Sequence, residues 1–311
     1  MGTLSQLLEL YPVRTALDVR CHFGAPWVLD HEGAPAGTAP YHLIVSGECT
    51  LDVGTRTDIP LGPGDIILFP MGTPHRLHTG GAHAVHHAPR ESRDSGPLPF
   101  LYNDSPGPET GILCGQFEFG AANANLLLSS LPELVHVRTA GAEGPAVLQQ
   151  LIGMLRAETE HVRPGGRAVV SQLASALFAL VMRAWIEQGS APGGLFALLA
   201  DARLRGALHA MLEAPAQPWE VTELAAACNM SRASFARLFQ KVAQTTPAQL
   251  LTETRMAKAA RLLQTGRLPA GEVAEQVGYQ SEAAFNRVFK RHFGVGPGAY
   301  RRTRPSEGGL A

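Results

Sequence analysis

Lysine is scarce in this chain: three in 311 residues, Lys241, Lys258 and Lys290, all in the last third. Charged residues of every kind make up only 17%, and 26 Lys and Arg nearly balance 27 Asp and Glu. The balance hides an asymmetry. Residues 1–200 carry 11 Lys and Arg against 18 Asp and Glu, a net of −7, while residues 201–311 carry 15 against 9, a net of +6. An acidic module joined to a basic one is the pattern expected when only one module meets phosphate. Cysteine is scarce too, and four at scattered positions exclude a disulfide scaffold. No apolar run reaches the length of a membrane span. The opening MGTLSQLLELYPVR lacks the basic start and small-residue cleavage site of a signal peptide, so the expected location is cytoplasmic, with no membrane partner. What is present is 45% apolar residues, enough for ordinary cores. The length suggests two domains at about 150 residues each.

The clearest positive signal is a duplication. SRASFARLFQKV from Ser231 returns 50 residues later as SEAAFNRVFKRH from Ser281, with Phe235 matching Phe285, Arg237 matching Arg287 and Phe239 matching Phe289. Each copy follows an alanine-rich segment, from Glu223 and from Glu272, so each reads as helix, tight turn, second helix. The Ser opening each second helix caps its free N–H groups. Phe235, Leu238 and Phe239 fall at the i, i+3, i+4 spacing of one apolar face, and Phe285, Val288 and Phe289 repeat it. The opposite face carries Arg232, Ala233, Ala236 and Arg237 in the first copy and Glu282, Ala283, Asn286, Arg287 and Lys290 in the second. Small residues let a helix sit deep in a groove, and Arg, Asn and Glu have the geometry to read base edges. Lys290 and Arg291, near the helix end, are placed to meet phosphate. One such unit is equally a helical pair with a solvated charged face; two in register favour double-stranded DNA as the partner.

Residues from about Leu204 to Arg302 resemble the DNA-binding domain of the AraC/XylS family of bacterial transcription regulators. The likeness covers both helix-turn-helix units, the connecting segment PAQLLTETRMAKAARLLQTG and the closing GYQSEAAFNRVFKRHFGVGPGAYR. It implies a sequence-specific regulator, an activator working with RNA polymerase and not an enzyme, whose two recognition helices enter successive major-groove segments. Some 18 residues of connecting helix span about 27 Å, compatible with groove segments about 34 Å apart.

Residues from about Leu17 to Phe119 show short apolar runs broken every eight to twelve residues by Gly, Pro and Asp, an all-β rhythm suited to a sandwich or barrel. Gly64, Pro70, Gly72 and His75 in GDIILFPMGTPH resemble the second cupin motif, with Gly where the turns need positive φ. The expected fold is therefore α+β in two parts: a cupin-like sensory barrel over 1–143, a helical dimerisation or packing segment over 144–188, a linker over 189–203, the all-α DNA-binding domain over 204–302 and a tail over 303–311. The 167–188 stretch is apolar nearly all round, which fits either a homodimer or intrachain packing. Cupin enzymes usually bind a metal through two His and one Glu of a first motif and one His of the second. Here Pro40 stands where that Glu should be, and only His42 remains near it. With His75 that makes at most a pair of ligands, so no metal and no cofactor are expected. His78, His83, His86 and His87 follow His75 at irregular spacing that matches no metal motif.

The signal remains open between a small molecule near His42 and His75 and an oxidant acting on thiols. Cys49 shares parity with Leu51 and Val53 and reads as core, and Cys228 ends the first helix of its unit. Cys21 lies between Arg20 and His22, whose charge, if close, favours the reactive thiolate. Cys114 precedes Gly115 in GILCGQFEF, expected at a strand start with its sulfur uncrowded. Both placements, with LSQLLELY and TPHRL, resemble the cupin-bearing AraC subgroup that includes regulators of reactive-chlorine defence. That resemblance implies redox sensing at Cys21 and Cys114. The competing readings are a cupin-fold metal enzyme with a helical appendage, disfavoured by the missing ligands, and a protein–protein adaptor, disfavoured by the basic face.

Overall fold

The computed structural model describes residues 2–80, 89–92, 96–119, 124–140, 145–189, 193–266 and 268–302. They form two compact units, one of Val13–Glu118 and Leu131–Ser190, the other of Met1–Pro12, Phe119–Ser130 and Ala191–Ala311. His83, His86 and His87 and the tail lie outside the described residues.

The first unit is built on strands β1 (Val13–Gly24), β2 (Trp27–His31), β3 (Thr38–Ser46), β4 (Cys49–Val53), β5 (Arg56–Leu61), β6 (Ile66–Leu68), β7 (His75–Thr79), β8 (Arg90–Ser92), β9 (Phe100–Tyr102), β10 (Glu109–Phe119) and β11 (Val135–Val137). Seven pair in the order β11-β6-β3-β10-β1-β9-β8 and four in the order β2-β7-β4-β5. The two-residue side-chain period explains what lies inside. On β4, Cys49, Leu51 and Val53 are buried while Thr50 and Asp52 are half-buried. β10 opposes β3 with Cys114 across from His42 and Ile112 across from Ile44, and these four point into the core that also holds Cys21, Cys49, Phe69 and Trp27. Their neighbours Tyr41, Leu43, Leu113 and Phe117 are buried on the other face. That face is covered by helix: Tyr41 stacks on Phe117 at 4.5 Å, and Phe117 meets Phe178 edge-on at 5.0 Å. Strands covered on both sides are apolar almost continuously, as β3 and β10 are. The turns of the GDIILFPMGTPH stretch place Gly64 at φ +87 and Gly72 at φ +65, the conformation L side chains rarely adopt.

Numbering helices along the chain, α1 is Thr3–Leu10, α2 Ala124–Ser129, α3 Ala146–Thr159 and α4 Gly166–Glu187. α3 and α4 pack together in the first unit, and α4 also packs on β1 and β11. Two sequence expectations need correction here. By length and composition α4 is apolar enough to cross a membrane. It is not apolar all round, however: Val170, Ala174, Leu177, Phe178, Val181 and Trp185 are buried, and Gln172, Ser175, Ala176 and Arg183 are exposed.

The second unit adds α5 (Gly194–Ala200), α6 (Arg205–Glu213), α7 (Val221–Ala227), α8 (Arg232–Ala243), α9 (Pro247–Thr265), α10 (Ala270–Gln276), α11 (Glu282–Phe293) and α12 (Pro297–Arg302). α5 falls inside the stretch expected as linker; Leu195, Phe196, Leu198 and Leu199 are buried, so apolar packing holds it helical. The same unit contains α1, which packs on α6 and α9 through buried Leu7 and Leu10. Arg261 donates to the Glu9 carbonyl at 2.6 Å, and His209 meets Gln6 at 3.0 Å.

Candidate functional sites

In each helix-turn-helix the turn is set by one residue with positive φ, Asn229 (φ 53) after α7 and Gly278 (φ 83) after α10. A Cβ at Gly278 would lie 2.2 Å from the Ala216 carbonyl oxygen, so glycine is required. Ala216 is itself fixed by Arg255, which donates to the carbonyls of Pro215, Ala216 and Gln217. The offset between copies is 49 residues from α7 to α10 and 50 from α8 to α11. The second turn is therefore one residue longer.

Ser231 Oγ accepts from the Ser234 N–H at 3.3 Å and Ser281 Oγ from the Ala284 N–H at 3.2 Å, so both expected caps are made. Phe235 and Phe239 are buried with ring centroids 5.4 Å apart, and Phe285 and Phe289 repeat that distance. With these faces fixed inward, Ser231, Arg232, Ala233, Ala236 and Arg237 are exposed on α8 and its cap, and Ser281, Glu282, Ala283, Arg287, Lys290 and Arg291 on α11 and its cap. Asn286 is half-buried, and its Oδ1 has no hydrogen-bond partner. α9 runs 19 residues between the two units, about 28 Å at 1.5 Å per residue. It starts on a Thr246 cap with Pro247 in its first turn.

Inside the barrel the structure brings together residues that the sequence scatters. Cys21 on β1 and Cys114 on the neighbouring β10 have Sγ atoms 3.9 Å apart. Both are buried, at 1% and 4% exposure. The hydrogen bond with Cys21, followed by burial, raises the Cys114 thiol well above its ordinary range. Two expectations about reactivity fail for geometric reasons. Arg20 and His22 flank Cys21 in sequence, but strand alternation turns them to the opposite face, where the Arg20 guanidinium lies 4.0 Å over Phe100 and His22 pairs with Glu109 at 3.0 Å. Cys114 sits in mid-strand with its sulfur buried in the core, and Gly115 faces the other side of the sheet. A Cβ there would be 2.2 Å from the Ala16 carbonyl oxygen and 2.6 Å from the Tyr41 hydroxyl.

His42 lies across the register from Cys114, and its Nε2 is 2.7 Å from Nε2 of His75. His31, on β2, completes the cluster, 4.4 Å from His42 and stacked at 4.8 Å on His75 between ring centroids. The sequence count of a ligand pair is therefore short by His31 and Cys114. His31 pairs with His75 across two strands of the smaller sheet, and only the fold relates it to the second cupin motif. Phe69 stacks on His75 at 3.6 Å. Burial lowers all three imidazoles: His42 well below the ordinary value, with His31 and His75 adding to the effect, His75 to about 4, and His31 less. The cluster is thus uncharged at neutral pH. Burial also pushes the Cys49 thiol up to about 12, and His78, beyond the cluster, pairs with Asp52 at 3.2 Å.

Residues 3–187 match the cupin family and residues 224–303 match a helix-turn-helix domain family. Over 302 residues the chain is 33% identical to the RCS-specific HTH-type transcriptional activator RclR of Escherichia coli, covering 97% of both chains. It is 31% identical to an uncharacterized HTH-type transcriptional regulator of Haemophilus influenzae, covering 97% of this chain and 99% of that one. It is also 31% identical to the HTH-type transcriptional regulator MtrA of Neisseria gonorrhoeae, covering 97% and 98%. Exposed recognition faces on two capped helices and a match along nearly the whole length point one way. The chain belongs to the AraC/XylS family of DNA-binding transcriptional regulators, with a cupin domain ahead of its paired helix-turn-helix units.

Proposed function

We propose that the protein is an oxidant-responsive transcriptional activator in which Cys21 and Cys114 are the sensing thiols. The observation that carries this reading is the 3.9 Å between their sulfurs on adjacent strands. A disulfide needs an S–S bond of about 2.05 Å, so the two sulfurs must close by about 1.9 Å. With hypochlorous acid the chemistry balances in two steps. One thiol becomes a sulfenyl chloride with loss of water, and the second thiol displaces chloride and releases its proton. The name of the Escherichia coli relative, an RCS-specific activator, supports that oxidant class. Both sulfurs are buried, so the reaction draws on a small, uncharged oxidant and on opening of the strands.

The remaining parts of the reading extend the family likeness to this chain's own residues. Arg237 and Arg287 read bases; Ser231, Arg232, Ala233 and Ala236 and Ser281, Glu282, Ala283 and Asn286 shape the contact; Lys290 and Arg291 hold phosphate. RNA polymerase is the partner on DNA, the exposed face of α4 joins two copies, and the protein works in the cytoplasm without catalysing a reaction. The test replaces Cys21 and Cys114 singly by Ser and measures oxidant-induced transcription from the native promoter, with mass spectrometry for the Cys21–Cys114 peptide. Loss of induction in both is expected. Full induction in both overturns the thiol reading and makes a small ligand beside His42 and His75 the signal.

A further inference from the structure

The three imidazoles in the barrel have no part in that thiol chemistry, and their hydrogen bonds are incomplete in an informative way. His75 Nδ1 lies 2.8 Å from the Thr73 carbonyl oxygen, which only accepts, so Nδ1 carries the proton and Nε2 of the neutral ring carries a lone pair. The 2.7 Å contact between the Nε2 atoms of His75 and His42 then needs the proton of His42 Nε2. That leaves a lone pair on His42 Nδ1, an atom shielded from solvent with no partner. His31 Nε2 is buried without a partner as well. Orphaned buried nitrogens are costly, and here they belong to one group. One donor atom each from His31, His42 and Cys114 lies within 4.8 Å of the others.

The geometry points to a binding site for a thiophilic divalent cation of the zinc class, held by His31, His42 and Cys114, with His75 as a positioning residue. The donor set of two imidazoles and a thiol suits zinc, while the carboxylate that cupin iron and manganese sites use is replaced by Pro40. Zinc with bonds of about 2.0–2.3 Å holds its donors about 3.5 Å apart, so donors within 4.8 Å must close by about 1 Å. The chain from His42 through His75 to the Thr73 carbonyl supplies the support that ligating histidines use. The non-ligating N–H is donated to a fixed acceptor, which sets the tautomer. Uncharged rings offer their lone pairs without first losing a proton, and Cys114 releases one proton as its thiolate binds the cation.

The test uses the full-length protein, reduced, stripped with chelator and titrated with Co²⁺ as the spectroscopic probe. Expected are one ion per chain, a thiolate-to-cobalt charge-transfer band and release of one proton per ion. C114S should lose the band; H31Q and H42Q should each weaken uptake at least tenfold. H75Q should keep the band with affinity lowered about 10–100-fold. Wild-type protein that takes up no cobalt, or takes it up without the thiolate band, overturns the site, and that readout depends on no variant folding. Cys21→Ser separates this inference from the thiol reading. The variant should bind cobalt as wild type does and lose oxidant induction, and a variant that fails to bind cobalt counts against the site.

Discussion

Arg237 and Arg287 show how much a single side chain is asked to do. Each is exposed one turn and a half into its helix, and among the described residues neither makes an ion pair, so both guanidiniums are available to DNA. A bidentate Arg–guanine contact discriminates by about 1–3 kcal/mol. R237A and R287A should each lose about 5- to 150-fold in operator affinity and relax one base position, as measured by binding to a library of single-base operator variants. K290A and R291A should instead weaken all sequences alike and lower the slope of log K against log salt by about 1 each. A second residue-scale effect belongs to His75. Its native pKa is lowered to about 4 by burial, against about 6.5 unfolded. Below about 6.5 the unfolded chain therefore binds a proton that the native cluster refuses. The stability is full above that pH and is lost as pH falls from 6.5 towards 4, by on the order of 3 kcal/mol. Calorimetry of the metal-free protein between pH 7 and 5 should show the cupin unit melting progressively lower, and His75→Gln should lessen the dependence, with buried His42 and His31 keeping the rest.

Among the elements, α8 and α11 are anchored by their phenylalanines. Phe→Ala in such cores costs about 3–5 kcal/mol, so Phe285→Ala should lower the melting temperature of the helical unit and DNA affinity together, whereas R287A should weaken binding alone. β1 and β10 carry the two thiols, and each is joined along the chain to the other unit: Tyr11 and Pro12 lie between α1 and β1, and α2 follows β10 in the sequence. If the two thiols are the sensor, the short connection through Tyr11 and Pro12 is one route to test, beside the linker around residue 190. Inserting Gly-Gly between Pro12 and Val13 should leave disulfide formation and reduced-state DNA affinity intact while removing oxidant induction. Retained induction would return the coupling to the α3–α4 pair and the linker.

For the whole molecule, two unlike helix-turn-helix units in one chain predict the layout of the operator. A monomer should protect two non-identical elements about 10 bp apart, since α8 presents Arg232, Ala233, Ala236 and Arg237 and α11 presents Glu282, Ala283, Asn286 and Arg287. A footprint of one palindrome with one unit per half-site contradicts this. If α4 joins two copies, light scattering should give twice the 33.1 kDa chain mass, and Ala176→Arg on its exposed face should return the monomer.

The duplication, the apolar period of the recognition helices, their serine caps and the glycines of the second cupin motif are local patterns, set by residues within a turn or two of one another. For that reason the sequence by itself determined the family and which faces of α8 and α11 turn inward. Contacts between strands distant along the chain obey no such pattern. That Cys21 meets Cys114 across 93 residues, that His31 joins His42 and His75, that Arg20 and His22 turn away from the thiol they flank, and that α1 packs with the helical unit all depend on register and burial. Strand pairing reverses a side chain's face with every residue, so only the tertiary structure decided which groups share the barrel interior.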